Sequence, residues 1–464
     1  MKNKKIELKK KNFNLKNIKL KKHHFIAGGV FLFGVVAFFI FYNSPSVGAT
    51  ASWYNNSWEY RLNITINYVE VDANLTDFPI YLNLSDLPSG FHTNVNSTGK
   101  DIRITLDDGT TEIPREVVFY NSVTDTGELW FKGNLSSITD SVFYIYYGNP
   151  TASDYAVGST YGANNVWSSG FVGVWHLQED PSGTAPQMKD SSGNGYDGTS
   201  QGSMTSGDLI ETKIGKGLDL DGSDDYIQTT NPHNYNDFTI LTWFKSPDAP
   251  DTRAYDGIFG GGNRGAYWHH QIGSPYMGAA EVEINGNWVN PTFGALSGNT
   301  WYLLGLTVEN GVVKSFKGGS LVDTISTYAG NNPSANTINF RIGAYSSNED
   351  AIGTIDEVWY FNGAKSVEFI STTHNNQNFP STFYSVGGEE TADTCVCAGL
   401  SSNWNVSMAD NCVLSEVCNL GTGNLTFYGA GSFTINATLN LKNMDEPPSG
   451  SVVWIGSQGK IFVG

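Results

Sequence analysis

Three observations on this sequence predict an all-β fold. Beyond residue 52, apolar and polar residues alternate in runs such as Arg61-Leu62-Asn63-Ile64-Thr65-Ile66, Asp101-Ile102-Arg103-Ile104-Thr105-Leu106 and Asn339-Phe340-Arg341-Ile342. A period of two marks strands with one buried face. Turn signals, among them Asp108-Gly109, Asn285-Gly286 and Asn310-Gly311, recur between such runs. The 52 glycines, 13% aromatic residues and 16% charged residues suit short strands and tight turns, whereas a disordered chain is poor in aromatics. Residues 366–376 alone read as a helix, with Ser366 as N-cap. A length of 464 residues corresponds to about three domains.

Charge separates the first residues from the rest. Residues 1–22 hold ten lysines and one acid, Glu7; taking these from 27 basic and 45 acidic residues leaves 17 against 44, so the remainder carries −27. Such a remainder offers no basic surface for nucleic acid. Residues 25–42, FIAGGVFLFGVVAFFIFY, carry no charge. At ~1.5 Å per residue they span ~27 Å, enough for a bilayer core. The lysines of residues 1–24 predict a cytoplasmic N-terminus and an exported bulk. Ala49-Thr50-Ala51 fits the A-x-A pattern of signal-peptide cleavage, which would make the product secreted. The length of the basic and apolar stretches favours an uncleaved anchor at 25–42. Either way, the remainder is expected at the cell surface.

The exported part divides into three modules. The first, residues 52–155, carries Trp58-Glu59-Tyr60-Arg61, Asp77-Phe78-Pro79-Ile80, Asp107-Asp108-Gly109, Leu129-Trp130 and Tyr144-Ile145-Tyr146-Tyr147-Gly148-Asn149-Pro150. It resembles an uncharacterised domain of bacterial and archaeal surface proteins, a resemblance that implies a β-sandwich and a surface location but no chemistry. The second, residues 166–388, carries Val174-Trp175-His176-Leu177, Asp190-Ser191-Ser192-Gly193-Asn194-Gly195 and Lys213-Ile214-Gly215-Lys216-Gly217-Leu218. Asp221-Gly222-Ser223-Asp224-Asp225-Tyr226-Ile227, Phe238-Thr239-Ile240, Trp243-Phe244 and Ile355-Asp356-Glu357-Val358 follow. In that order these resemble a LamG-like member of the concanavalin A-like lectin/glucanase superfamily. The resemblance implies a two-sheet jelly roll whose short terminal helix falls on residues 366–376. The third, residues 395–464, has short glycine-punctuated strands that fit either the start of a β-solenoid or a small sandwich.

No catalytic residue is assigned. Glucanases of this superfamily pair closely spaced carboxylates on one strand, and the nearest segment, Glu281-Val282-Glu283-Ile284-Asn285, lacks the central acid. Gly198-Thr199-Ser200-Gln201-Gly202 fits a nucleophile elbow, and Gly260, Gly262 and Gly265 fit a phosphate loop. Neither has the helix that its chemistry requires. His269 and His270 are adjacent, so in a strand they point to opposite faces and cannot share a metal.

Three groups of residues remain as candidates. Residues 260–288 gather Tyr267, Trp268 and Trp288 with Arg264, aromatic and polar groups of the kind that hold a ligand. Asp190, Asn194 and Asp356 match positions that bind a structural calcium in related jelly rolls; as oxygen donors they suit that hard cation. Cys395, Cys397, Cys412 and Cys418, confined to 24 residues of an exported segment, are expected as two disulfides. Cys395 and Cys397, two apart along a strand, lie at the edge of disulfide reach and are poorly oriented, so each is expected to bond Cys412 or Cys418. Nine sequons, at Asn55, Asn63, Asn74, Asn83, Asn96, Asn134, Asn405, Asn424 and Asn436, leave residues 140–400 bare and predict a glycoprotein modified on its flanking modules. The leading expectation is a surface binding or adhesion protein that recognises a glycan or a protein. A non-binding envelope or appendage component is the alternative, and a glycan-degrading enzyme comes third.

Overall fold

The computed structural model describes residues 53–55, 57–247, 257–261, 267–270, 277–345, 350–392 and 394–464, with backbone alone at 267–270 and 277. Ala51–Gly464 is one compact unit, and it is mostly strand. Among the described residues no helix is long and apolar enough to cross a membrane. The apolar run 25–42, its lysines and Ala49-Thr50-Ala51 lie outside the described residues.

The first module is a sandwich of two sheets. In one, Tyr60–Ile66 pairs with Ser141–Tyr147, which pairs with Arg103–Leu106 and then Glu112–Ile113. The other is Leu75–Asn83, Thr126–Leu135 and Arg115–Asn121. Leu62, Ile64, Ile80, Leu82, Ile104, Phe131 and Ile145, the apolar members of the alternating runs, fill the space between them. The free edge of Tyr60–Ile66 is closed by Tyr384–Val386, with Ile64 opposite Val386 and Ile66 opposite Tyr384, and by Glu390–Thr391. The sandwich that begins near residue 60 is therefore completed by residues beyond the jelly roll in sequence. Arg61 fixes that crossing: Nε and Nη2 donate to Glu390 Oε2 at 2.9 and 2.7 Å, and Nη1 donates to the Tyr146 hydroxyl at 2.9 Å.

The jelly roll has one large sheet in the order Leu209–Glu211, Lys216–Asp221, Ile352–Asn362, Phe238–Lys245, Tyr302–Glu309, Val312–Lys317 and Ser320–Ile325; Phe171–Trp175 also pairs with Ile352–Asn362. Opposite it lie Phe259–Gly260, Arg341–Ile342, Tyr226–Thr229 and Gly198–Gln201, and a further sheet of Tyr267–His270, Met277–Ile284, Asn287–Val289 and Thr292–Ala295. Ile240, Phe244, Leu304, Leu306, Val358 and Tyr360 face the interior. Their neighbours Leu241, Trp243, Trp359 and Phe361 face outward, yet they share a core with Phe78, Trp130 and Phe131 of the first module. Both faces of the large sheet are covered, which is why Phe238–Lys245 and Ile352–Asn362 read as near-continuous apolar runs. The hairpin turns Asn285-Gly286 and Asn310-Gly311 have positive φ at both residues, 52° and 75°, and 45° and 75°, as a type I′ turn demands.

The expected helix is Val367–Asn378, where the Ser366 side chain accepts from Phe369 N. It docks on the first module through Asn376, which accepts from Tyr81 N at 2.7 Å and donates to Tyr81 O at 3.0 Å. Leu75–Asn83 is an edge strand, so this side-chain amide stands where a further strand would pair.

The third module is a solenoid of three parallel sheets: Trp404–Ser407, Asn424–Tyr428 and Asn443–Met444; Val413–Leu414, Ser432–Ile435 and Val452–Ile455; Cys418–Asn419, Thr438–Leu441 and Lys460–Val463. Of the two architectures left open by the sequence, the solenoid is the one formed. Inward residues Val406, Leu425, Phe433, Ile435, Leu439 and Leu441 stack through its centre. Cys395–Cys412 and Cys397–Cys418 are bonded, as the spacing led one to expect, and they staple the entering segment to the first rung.

Candidate binding face and the junction behind it

Burial of the outer face of the large sheet leaves the opposite side of the jelly roll for recognition. There Met277–Ile284 turns through Asn285-Gly286 into Asn287–Val289. Ala280, Val282 and Ile284 point into the core, so Glu281 and Glu283 lie on the other face. Trp288 pairs with Glu283 and is 47% exposed. Among the described tryptophans of the jelly roll it is the exposed one. The register sets position 267 opposite Glu281 and position 268 opposite Ala280. The side chains of Tyr267, Trp268, His269 and His270, and Arg264 altogether, lie outside the described residues.

The proposed calcium ligands are held by the fold itself. Asp190 Oδ1 accepts from Val174 N at 3.1 Å and Ser192 N at 2.9 Å, and Oδ2 from Tyr196 N at 2.9 Å. The Asn194 amide donates to the carbonyls of Phe171 and Val172 at 3.1 and 3.0 Å. Together they tie one turn to the strand Phe171–Trp175. Asp356 is elsewhere bound: its Oδ2 accepts from Ile214 N at 2.7 Å. Ser200 sits in a strand and donates its hydroxyl to Pro181 O.

The most elaborate polar arrangement was not anticipated from the sequence. Where the first module meets the large sheet, Glu128-Leu129-Trp130 and Glu357-Val358-Trp359 face each other. In a strand, residues two apart share a face, so each indole reaches its own glutamate: Trp130 Nε1 donates to Glu128 Oε1 at 2.6 Å, and Trp359 Nε1 to Glu357 Oε2 at 3.0 Å. Trp167 donates likewise to Glu116 Oε2. The three indoles pack edge to face or tilted at 5.3–5.4 Å, and His176 lies against Trp130 and Trp167. Its Nδ1 is 2.7 Å from Glu357 Oε1 and 3.4 Å from Glu128 Oε1, while Nε2 is 3.3 Å from Glu116 Oε2. A register shift opposite Leu241 and Trp243, with φ 48° at Glu357, marks a β-bulge. The extra residue restores alternation, so Ile355 and Val358 face the core while Asp356 and Glu357 both avoid it. An E-x-W triplet occurring once in the first module and once in the jelly roll was the signal available in the sequence.

Burial dominates the electrostatics here. It pushes the Glu128 and Asp356 carboxyls well up, reinforced by the Glu357 charge. It opposes ionisation of His176 too, but Glu357 and Glu116 outweigh it and hold the imidazole well above its ordinary value. Burial would raise Glu116, yet His176 and the donors Trp167 and Ser191 bring it down. Glu128, Glu357 and His176 are 1%, 2% and 5% exposed, which seals them from any polymeric substrate. Beside this junction a groove of about 800 Å³ opens between the modules, lined by Tyr81, Asn83, Asn121, Gln178, Lys213 and Lys216 among others.

Residues 221–371, about a third of the chain, match the Laminin_G_3 family model, described as the concanavalin A-like lectin/glucanases superfamily. No curated protein matches the chain. Among solved structures, domain 4 of an extracellular arabinanase from Geobacillus stearothermophilus, in complex with arabinotriose, is similar at 22% identity over 39% of this chain and 90% of its own, with a TM-score of 0.34. The binding domain of botulinum neurotoxin serotype D is similar at 17% identity over 45% and 52%, TM-score 0.36. That of Paraclostridial Mosquitocidal Protein 1 follows at 15% over 44% and 52%, TM-score 0.35. The chain spans about half the length of the two toxin domains, and similarities at this level assign neither ligand nor activity. On the family match, the jelly roll around residues 221–371 is a domain of the concanavalin A-like lectin/glucanase superfamily.

Proposed function

We propose that this chain is a membrane-tethered surface protein that binds a glycan on the Trp288 side of its jelly roll, with residues 25–42 as anchor and everything after them exported. The observation that carries the reading is the half-exposed Trp288 ring on a sandwich whose other outer face is buried. A half-exposed aromatic ring with polar neighbours suits the C–H faces of a sugar. Two disulfides in residues 395–418 support export. A second reading, a spacer of an envelope or appendage, draws support from the parallel solenoid, an extended scaffold.

A glycan array probed with residues 53–464 separates the two. Residues 166–388 alone are unsuitable, because excision would strip the cover from Trp243, Trp359 and Phe361. Saturable binding to a defined set of glycans supports the binding reading; an array with no signal above a chain lacking the jelly-roll face would leave the spacer.

A further inference from the structure

We infer that Glu128, His176 and Glu357 form a buried site for one small divalent cation, of the zinc or manganese type, that staples the first module to the jelly roll. One atom of each side chain, a nitrogen and two carboxylate oxygens, lies within 4.8 Å of the others. His176 Nδ1 stands 2.7 Å from Glu357 Oε1 and 3.4 Å from Glu128 Oε1. With metal–ligand bonds of about 2.0–2.2 Å, neighbouring donor atoms of a tetrahedral or octahedral shell sit about 2.8–3.6 Å apart. The His176–Glu128 separation falls inside that range and the His176–Glu357 separation just below it.

The surroundings are those of metal ligands. A ligating histidine commonly gives its other ring nitrogen to a carboxylate, and His176 Nε2 faces Glu116 Oε2 at 3.3 Å. Glu116 is itself fixed by Trp167 and by the Ser191 hydroxyl at 2.7 Å. The oxygens of Glu357 and Glu128 turned away from the imidazole accept from Trp359 and Gln178. Each donor is thus oriented by a partner that does not compete for the central position, apart from the Trp130 indole on Glu128 Oε1.

Charge gives the independent argument. Glu116, Glu128 and Glu357 have His176 as their ion-pair partner, and among the described residues no lysine or arginine forms an ion pair with these three, while Lys213 interacts with the Asp356 charge. Asp356 is fully buried and its Oδ1 has no hydrogen-bond partner. Three buried carboxyls and the part-buried Glu116 surround one imidazole, and each that stays ionised without compensation costs several kcal/mol by order of magnitude. A divalent cation removes two charges at the position where three donors already converge. Imidazole with carboxylates suits zinc or manganese better than calcium, which takes six to eight oxygens. With both modules contributing ligands and no open face, the ion is structural.

The test uses residues 53–464 without a metal-binding tag, unfolded in chelator and refolded with zinc, with manganese, or with chelator present. After desalting, metal content is measured by mass spectrometry and the thermal midpoint by fluorescence. The wild type is expected to retain about one ion per chain and to melt higher than the chelator-refolded sample. Glu357→Gln and Glu128→Gln, which keep the side chain's shape while removing its charge and one acceptor oxygen, are expected to retain below about a tenth of an ion and to lose the metal-dependent shift. Asp221→Asn/Asp224→Asn, at the two exposed positions of a separate acidic loop, is expected to behave as wild type. A wild type that refolds to the same midpoint in chelator and holds no stoichiometric ion overturns the inference. So does an ion retained by both glutamine variants or lost from the loop variant.

Discussion

Asn376→Ala tests whether the two modules fold as one body. The side chain is 1% exposed and satisfies two buried groups of the Leu75–Asn83 edge, Tyr81 N–H at 2.7 Å and Tyr81 C=O at 3.0 Å. Alanine leaves both without a partner and gives water no path to them. Each orphaned buried group costs about 1–3 kcal/mol, so the loss is about 2–6 kcal/mol. Far-UV circular dichroism and tryptophan fluorescence on residues 53–464 should show one shared urea transition, moved to lower urea in the variant. Asn378→Ala, two positions further along the helix, should change stability by no more than about 0.5 kcal/mol. A loss below about 1 kcal/mol for Asn376→Ala, or two separated transitions of which one alone moves, would refute a common folding unit.

Two further outcomes follow from the same structure. His374 stacks on Trp243, and burial, with Lys213 beside it, pushes its imidazole down to about 4. Below pH about 6.5 the unfolded chain takes a proton that the folded chain refuses until about 4, so stability falls as pH drops across that window, by up to about 1.4 kcal/mol per unit, and levels off below it. His374→Gln should remove that component of the slope in urea midpoints at pH 7, 5.5 and 4.5; superimposable profiles contradict the assignment. The disulfides close loops of 17 and 21 residues, worth about 3 kcal/mol each in the chain-entropy account. Reduction should open residues 394–464 to limited proteolysis while residues 57–247 stay protected, and an unchanged digestion pattern would contradict the role given to these bonds.

Legibility in the sequence followed the range of the interaction. Alternation around Leu62, Ile64 and Ile104, the type I′ pair Asn285-Gly286 and the Ser366 cap depend on neighbours within a few residues, and each stands where the pattern placed it. The crossing of Tyr384–Val386 onto Tyr60–Ile66 could not be read, since three residues of strand carry no address for a partner more than 300 positions away. For the same reason the parallel rungs of residues 404–463 looked equally like a sandwich: Trp404 opposite Leu425 is a matter of register between short strands. At the candidate face, Trp288 could be named because residues 260–288 gather aromatic and polar side chains, while its exposure depends on which sheet the first module covers. The junction was hidden differently. Its glutamates read as ordinary strand polar residues, and the bulge at Glu357 shifts the very alternation used to read that strand.

The measurement that bears most directly on the binding reading is a titration of the best glycan from the array with wild type and Trp288→Ala, each as residues 53–464. Trp288 is 47% exposed, so its loss should leave the urea midpoint within about 0.5 kcal/mol of wild type. The account predicts that affinity falls by at least about tenfold, or about 1.4 kcal/mol, with folding intact. Unchanged affinity in a folded Trp288→Ala protein would contradict it.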